Sequence, residues 1–232
     1  MQNPRVTRCN APSSAARMTY NVPMPASDVL DSVLKVADEA LRTLFAPARS
    51  ARAPALSPEA PLSEADKRLS AGLMRVNHAG EMAAQGLYRG QAALSRSSHT
   101  RAFLQRAAHE EGDHLAWCEM RLRELNSAPS RLNPLWYVGS FAIGAVAAAL
   151  GDRVSLGFVT ETERQVEGHL ASHLERLPVT DQRSRSIVEL MKTDEAGHAQ
   201  AARAAGAGEL PGPIPTLMRY AARVMTATAY WL

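Results

Sequence analysis

Glu195-Ala196-Gly197-His198 reproduces, in its first and last residues, an earlier stretch of the same chain, Glu111-Gly112-Asp113-His114. Residues three apart on an α-helix share a face, so each stretch turns a carboxylate and an imidazole toward one point. Working outward, each stretch is preceded by another glutamate: Glu81 lies 30 residues before Glu111, and Glu163 lies 32 before Glu195. Two antiparallel helices joined by a short turn need such a separation to bring mid-helix residues level, because arms of ~13 residues each rise ~20 Å. The chain therefore carries one device twice, a helix bearing Glu followed by a helix bearing Glu-x-x-His. Glu161 and Glu167 compete with Glu163, and Glu167 is one turn away on the same face. Glu110 reads as a bystander, because the register of His114 selects Glu111.

The charges of Glu81, Glu111, His114, Glu163, Glu195 and His198 fit a pair of divalent cations. Four carboxylates and two dications give a neutral buried site, whereas four carboxylates alone would repel and take up protons. Carboxylate and imidazole donors without a thiolate suit iron or manganese. The expected fold class is all-α, a ferritin-like four-helix bundle with a carboxylate-bridged pair of metal ions in its core.

The remaining sequence agrees with a helical protein. Its 232 residues suffice for one sizeable core, aromatic residues make up only 5%, and no segment alternates with period two long enough to suggest a sheet. A net charge of +3 excludes a strongly basic nucleic-acid binder. Cys9 and Cys118 stand far apart with no Cys-x-x-Cys, so neither a disulfide scaffold nor a cysteine-ligated zinc is indicated. Residues 1–26 read as a disordered extension or an over-long gene start, with Met18 or Met24 as the alternative beginning, or as a targeting presequence. An amphipathic helix is expected over 27–45, with a stripe including Leu30, Val33, Leu34, Leu41 and Leu44. A Pro-, Ala- and Ser-rich linker should cover 46–62. Ser63-Glu64-Ala65-Asp66 resembles a capping box opening the main domain, 63–232. Its helices are expected to fade near Ser95, to span about 99–126, 152–177 and 181–205, and to end with one from about Thr216 to Leu232.

Between the two devices lies a charge-free apolar run from Pro134 to Gly151. It reaches only the lower end of a membrane span, and its glycines argue against a single spanning helix. An interfacial or re-entrant segment fits better, with Trp136 and Tyr137 at headgroup level. A buried core helix and an oligomer contact are the other readings.

Arg75-Val76-Asn77-His78-Ala79-Gly80-Glu81, Glu111-Gly112-Asp113-His114 and Asp194-Glu195-Ala196-Gly197-His198, together with Pro134-Leu135-Trp136, resemble the demethoxyubiquinone hydroxylase family over about residues 65–232. The resemblance implies a di-iron monooxygenase of ubiquinone biosynthesis. Glu81, Glu111, His114, Glu163, Glu195 and His198 would be the iron ligands, with Glu111 and Glu195 bridging. It also implies O₂ as co-substrate and a ring hydroxylation of a polyprenylated methoxy-methyl-benzoquinol. The protein would sit at the cytoplasmic face of the cell membrane, as a homo-oligomer or with other ubiquinone-biosynthesis proteins. NADH, a partner reductase and the quinol itself all remain as electron donors.

His78, three residues before Glu81, is either a partner holding that carboxylate or an unrelated core histidine; Tyr88 either faces a cavity or packs between helices. Two rival functions share parts of the pattern. A ferroxidase or peroxide-scavenging oxidase would keep the ligands without needing the apolar run. A helical scaffold protein would leave the same residues solvated and bind no iron.

Overall fold

The computed structural model describes residues 26–58 and 61–232. Within them are seven helices and no strand: α1 (Ala26–Phe45), α2 (Glu64–Leu94), α3 (Ser98–Glu124), α4 (Asn133–Ala149), α5 (Asp152–Arg176), α6 (Gln182–Ala204) and α7 (Pro213–Ala229). Ser63 caps α2, its hydroxyl accepting from the Asp66 amide, and Asp181 caps α6 through the Ser184 amide. Gly151 (φ 114°) and Gly206 (φ 100°) turn the chain before α5 and after α6 in the left-handed region that glycine tolerates. The extension before residue 26 lies outside the described residues.

The helix pairs α2–α3 and α5–α6 pack as two hairpins and together form the ferritin-like four-helix bundle, with α4 as the crossover lying along α2. Two apolar layers fill the bundle. One contains Leu73, Met74, Trp117, Cys118, Leu122, Leu170, Ile187 and Met191, and the other contains Leu87, Tyr88, Leu104, Ala107, Val159 and Ala202. On every helix the predicted site residues fall between these layers in sequence, so the polar cluster is sealed at both ends. Tyr88 is fully buried in the second layer, a packing role.

Three expectations need correction. The apolar run forms one unbroken helix as far as Ala149 instead of a re-entrant segment, and glycines on both helices let it lie close against α2. A Cβ on Gly86 or Gly90 would lie 2.3 or 2.1 Å from the carbonyl oxygen of Tyr137 or Phe141, and one on Gly144 would lie 2.1 Å from that of Leu87. Tyr137 consequently points inward against Met82 and Leu115 and is only 2% exposed, so it is no headgroup anchor. The segment read as a linker is, over residues 46–58, a strap bonded to α3. The Ala48 amide donates to Glu119 and the Ala51 amide to Asp113, while the Trp117 indole donates to the Arg52 carbonyl.

The stripe on α1 faces outward: Leu30, Val33, Leu34 and Leu41 are each more than half exposed. Among the described residues, Ala40 and Leu44 pack on the body, assisted by an Arg89–Glu39 ion pair. Leu135, Val138 and Val146 of α4, Leu150 just after it, and Leu217, Tyr220 and Val224 of α7 are similarly exposed. No described helix is long and apolar enough to cross a membrane.

Candidate metal centre

All six side chains singled out from the sequence meet in the bundle core. Glu81 comes from α2, Glu111 and His114 from α3, Glu163 from α5, and Glu195 and His198 from α6; none is more than 9% exposed. Their ligand atoms form two overlapping sets, each lying within 4.8 Å: Glu81, Glu111, His114 and Glu195, and Glu111, Glu163, Glu195 and His198. Glu111 and Glu195 belong to both sets.

The individual distances show how they are shared. Glu111 places Oε2 3.0 Å from His114 Nδ1 and Oε1 3.0 Å from His198 Nδ1. Glu195 places Oε1 3.2 Å from His114 Nδ1 and Oε2 3.5 Å from His198 Nδ1. Each of these carboxylates thus offers one oxygen to each half of the cluster. Glu81 Oε2 approaches the His114 half at 3.7 Å.

The electrostatics are those of acids and imidazoles forced to share protons. Burial pushes Glu81 and Glu163 well above the usual carboxylate range, and the neighbouring carboxylates add to the shift. Burial also opposes ionisation of Glu111 and Glu195. The hydrogen bonds and charges of His114 and His198 outweigh it and hold both below their ordinary value. In return, and against burial, Glu111 and Glu195 push His198 up to about 12, and His114 is raised by Asp194 and the same carboxylates.

Several atoms facing the centre are buried without a well-directed hydrogen-bond partner: Glu111 Oε1, Glu163 Oε1, Glu195 Oε2 and His198 Nδ1. Orphaned lone pairs converging on one point are costly unless something coordinates them. These buried groups could hold metal ions, and the oxygen and imidazole donor set fits iron or manganese.

The outer nitrogen of each imidazole also has an acidic partner. His114 Nε2 lies 3.0 Å from Asp194 Oδ2, and His198 Nε2 lies 2.7 Å from Glu110 Oε2. Glu110 is therefore not a bystander. Each partner stands immediately before the glutamate of a Glu-x-x-His stretch, and this repeated offset was the signal that could have found both. Such partners fix which ring nitrogen faces inward. His78 does not hold Glu81: its Nδ1 lies 3.2 Å from Asn133 Nδ2 at the start of α4, and burial lowers its pKa to about 4. Arg75, in the same string, donates to the carbonyls of Ala128 and Tyr230 and to the Ser127 hydroxyl, tying α2 to the α3–α4 turn and the end of α7.

Beside the cluster, a cavity of about 720 Å³ opens between α2, α4, α5 and α7. Its wall is mainly apolar, including Val76, Leu87, Trp136, Ile143, Phe158, Leu170 and Met218, and Glu81 forms part of it. Asn77, Thr162, Gln165 and His169 supply polar atoms, while the exposed Arg164, Arg219 and Arg223 also line it.

Fold and cluster define the class: a ferritin-like helical protein whose core can bind metal between carboxylates and imidazoles, next to an apolar cavity. The family follows from comparison with known proteins. Residues 68–229 match the family described as "Ubiquinone biosynthesis protein COQ7", and the chain belongs to it. Among similar proteins, 3-demethoxyubiquinol 3-hydroxylase of Xanthomonas campestris pv. campestris is 55% identical over 92% of this chain and 99% of its own. The protein of that name from Polaromonas naphthalenivorans is 59% identical over 87% of this chain and 97% of its own. That of Ralstonia pickettii is 62% identical over 73% and 78%.

Proposed function

We propose that this protein hydroxylates the ring of a polyprenylated demethoxyubiquinol in ubiquinone biosynthesis, using O₂ and two iron ions. In this reading Glu81, Glu111, His114, Glu163, Glu195 and His198 would hold the ions, and Glu111 and Glu195 belong to both sets of ligand atoms. The observation that carries it is the position of Glu81, which belongs at once to the candidate metal cluster and to the wall of the apolar cavity. A ferroxidase has no use for such a cavity. A ring bound there lies next to the metal centre while its isoprenoid tail stays in apolar surroundings.

When bound, iron supplies the reduction of O₂ by two electrons from an external donor, so that one oxygen atom enters a ring C–H bond and the other leaves as water. The chain's own contribution is to position and to exclude water. The two apolar layers seal the cluster from solvent along the bundle axis. Asp194 and Glu110 orient the imidazoles. Val76, Leu87, Phe158 and Ile143 hold the ring by apolar contact, and Asn77 and Thr162 offer hydrogen bonds to its oxygens.

The same reading puts the protein on the cytoplasmic face of the cell membrane, lying on the surface without crossing it. The exposed apolar side chains of α1, α4 and α7 support this, as does a cavity lined by both α4 and α7, through which a lipid-dissolved quinol can enter from the bilayer. The arginines Arg219 and Arg223 suit an anionic headgroup region.

The test is metabolite analysis of a strain lacking the gene, with the purified protein assayed for iron and quinol turnover. Accumulated demethoxyubiquinol, rescued by the wild-type chain, is the expected result. Normal ubiquinone in that strain, or a protein that oxidises iron and leaves the quinol untouched, refutes the proposal.

A further inference from the structure

The two halves of the cluster are alike at their centre and unlike at their edge. Asp194 and Glu110 play corresponding parts, but their surroundings differ. Asp194 Oδ2 accepts from Arg52 Nη2 at 2.8 Å as well as facing His114. Arg52 belongs to the strap and is itself pinned: its Nε donates to Asp113 Oδ2 at 2.9 Å, and its guanidinium lies 5.1 Å from the centre of the Trp117 ring. The strap around it is bonded too, with the Ser50 hydroxyl on Asp113 Oδ1 at 2.8 Å and the Trp117 indole on the Arg52 carbonyl at 2.9 Å. Glu110, by contrast, has a half-exposed side chain, and among the described residues its ion pair is with His198 alone.

We infer that Arg52 is a positioning residue: by pinning Asp194 it holds the His114 ring with Nδ1 turned to Glu81, Glu111 and Glu195, and makes that half the tighter of two divalent-cation sites. The inference rests on the metal-centre reading above. An imidazole whose outer N–H is already bound to a fixed carboxylate loses little freedom when Nδ1 takes a metal ion. The His198 ring relies on a solvated, rotatable Glu110, and more must be ordered when it binds. The positive charge of Arg52 does not itself repel the cation strongly, because it sits against two carboxylates, Asp113 and Asp194.

The test uses the full chain, stripped of metal by a chelator and titrated with Co(II), read by its visible absorption. The wild type is expected to bind two Co(II) in two resolved steps. Arg52→Gln should weaken the tighter step by roughly 10–100-fold and leave the weaker one within about twofold. Arg52→Lys keeps the charge without the two-pronged fork and should fall between them. Glu110→Gln should weaken the other step. Asp113→Asn removes one of the two carboxylates that hold and neutralise Arg52 but leaves the Arg52–Asp194 pair, and should weaken the tighter step clearly less than Arg52→Gln does. If Arg52→Gln does not fold, Arg52→Lys carries the comparison. The inference is overturned if the arginine variants leave the tighter step intact, if they weaken both steps alike, or if Asp113→Asn matches them. A wild type that binds no Co(II) instead refutes the metal-centre reading itself.

Discussion

Replacing Gly90 by Ala places a methyl group where α2 and α4 touch, and the structure sets the size of the effect. The new Cβ would lie 2.1 Å from the Phe141 carbonyl oxygen and 3.0 Å from the Ala145 nitrogen. Carbon prefers contacts near ~3.5 Å, so the helices must part by roughly 1 Å or more. The opposing atoms are backbone, so no rotamer change relieves the clash, and the cost falls at the upper end of overpacking, about 3 kcal/mol. Ala is the better helix former by about 1 kcal/mol, which leaves a net loss of about 2 kcal/mol. For a chain of this size that lowers the melting temperature by about 4–8 °C. Gly139→Ala is the matched control on α4: its Cβ meets nothing within 4 Å, so helix propensity alone should act and stability should hold or rise. Thermal melts followed by circular dichroism, with and without chelator, check both. A Gly90→Ala protein melting at or above the wild type would refute the reasoning.

Glu195→Ala removes an oxygen from each half of the cluster and is expected to abolish hydroxylation and lower bound iron, with helix content by circular dichroism largely kept; wild-type iron and turnover would count against the site. Gly80→Leu projects a side chain from the wall of the cavity, where a Cβ meets nothing within 4 Å, and should reduce quinol turnover about tenfold or more while iron content and melting stay close to wild type. Unchanged turnover there would mean the ring binds elsewhere. Because Glu81, Glu163, His114 and His198 all have raised pKa values, a dication must displace their protons on binding. Affinity should therefore fall as pH drops from about 8 to about 6, with protons released in weakly buffered titrations; a pH-independent affinity refutes this.

The amino-acid sequence alone determined the bundle and its six convergent residues. A 3.6-residue period and a fixed arm length convert spacing along the chain directly into a face and a level, so Glu81, Glu111, His114, Glu163, Glu195 and His198 could be placed before any coordinates. Other features are set between segments far apart in the chain, where spacing carries no such information. That Gly86, Gly90 and Gly144 are a helix contact depends on which helix α4 meets. That His78 bonds Asn133 instead of Glu81 depends on where α4 begins. That Arg52, in a stretch composed like a linker, reaches Asp194, 142 residues further on, depends on the strap crossing α3. Helical periodicity is local and legible; the meeting of two surfaces is decided by packing, which only the folded chain contains.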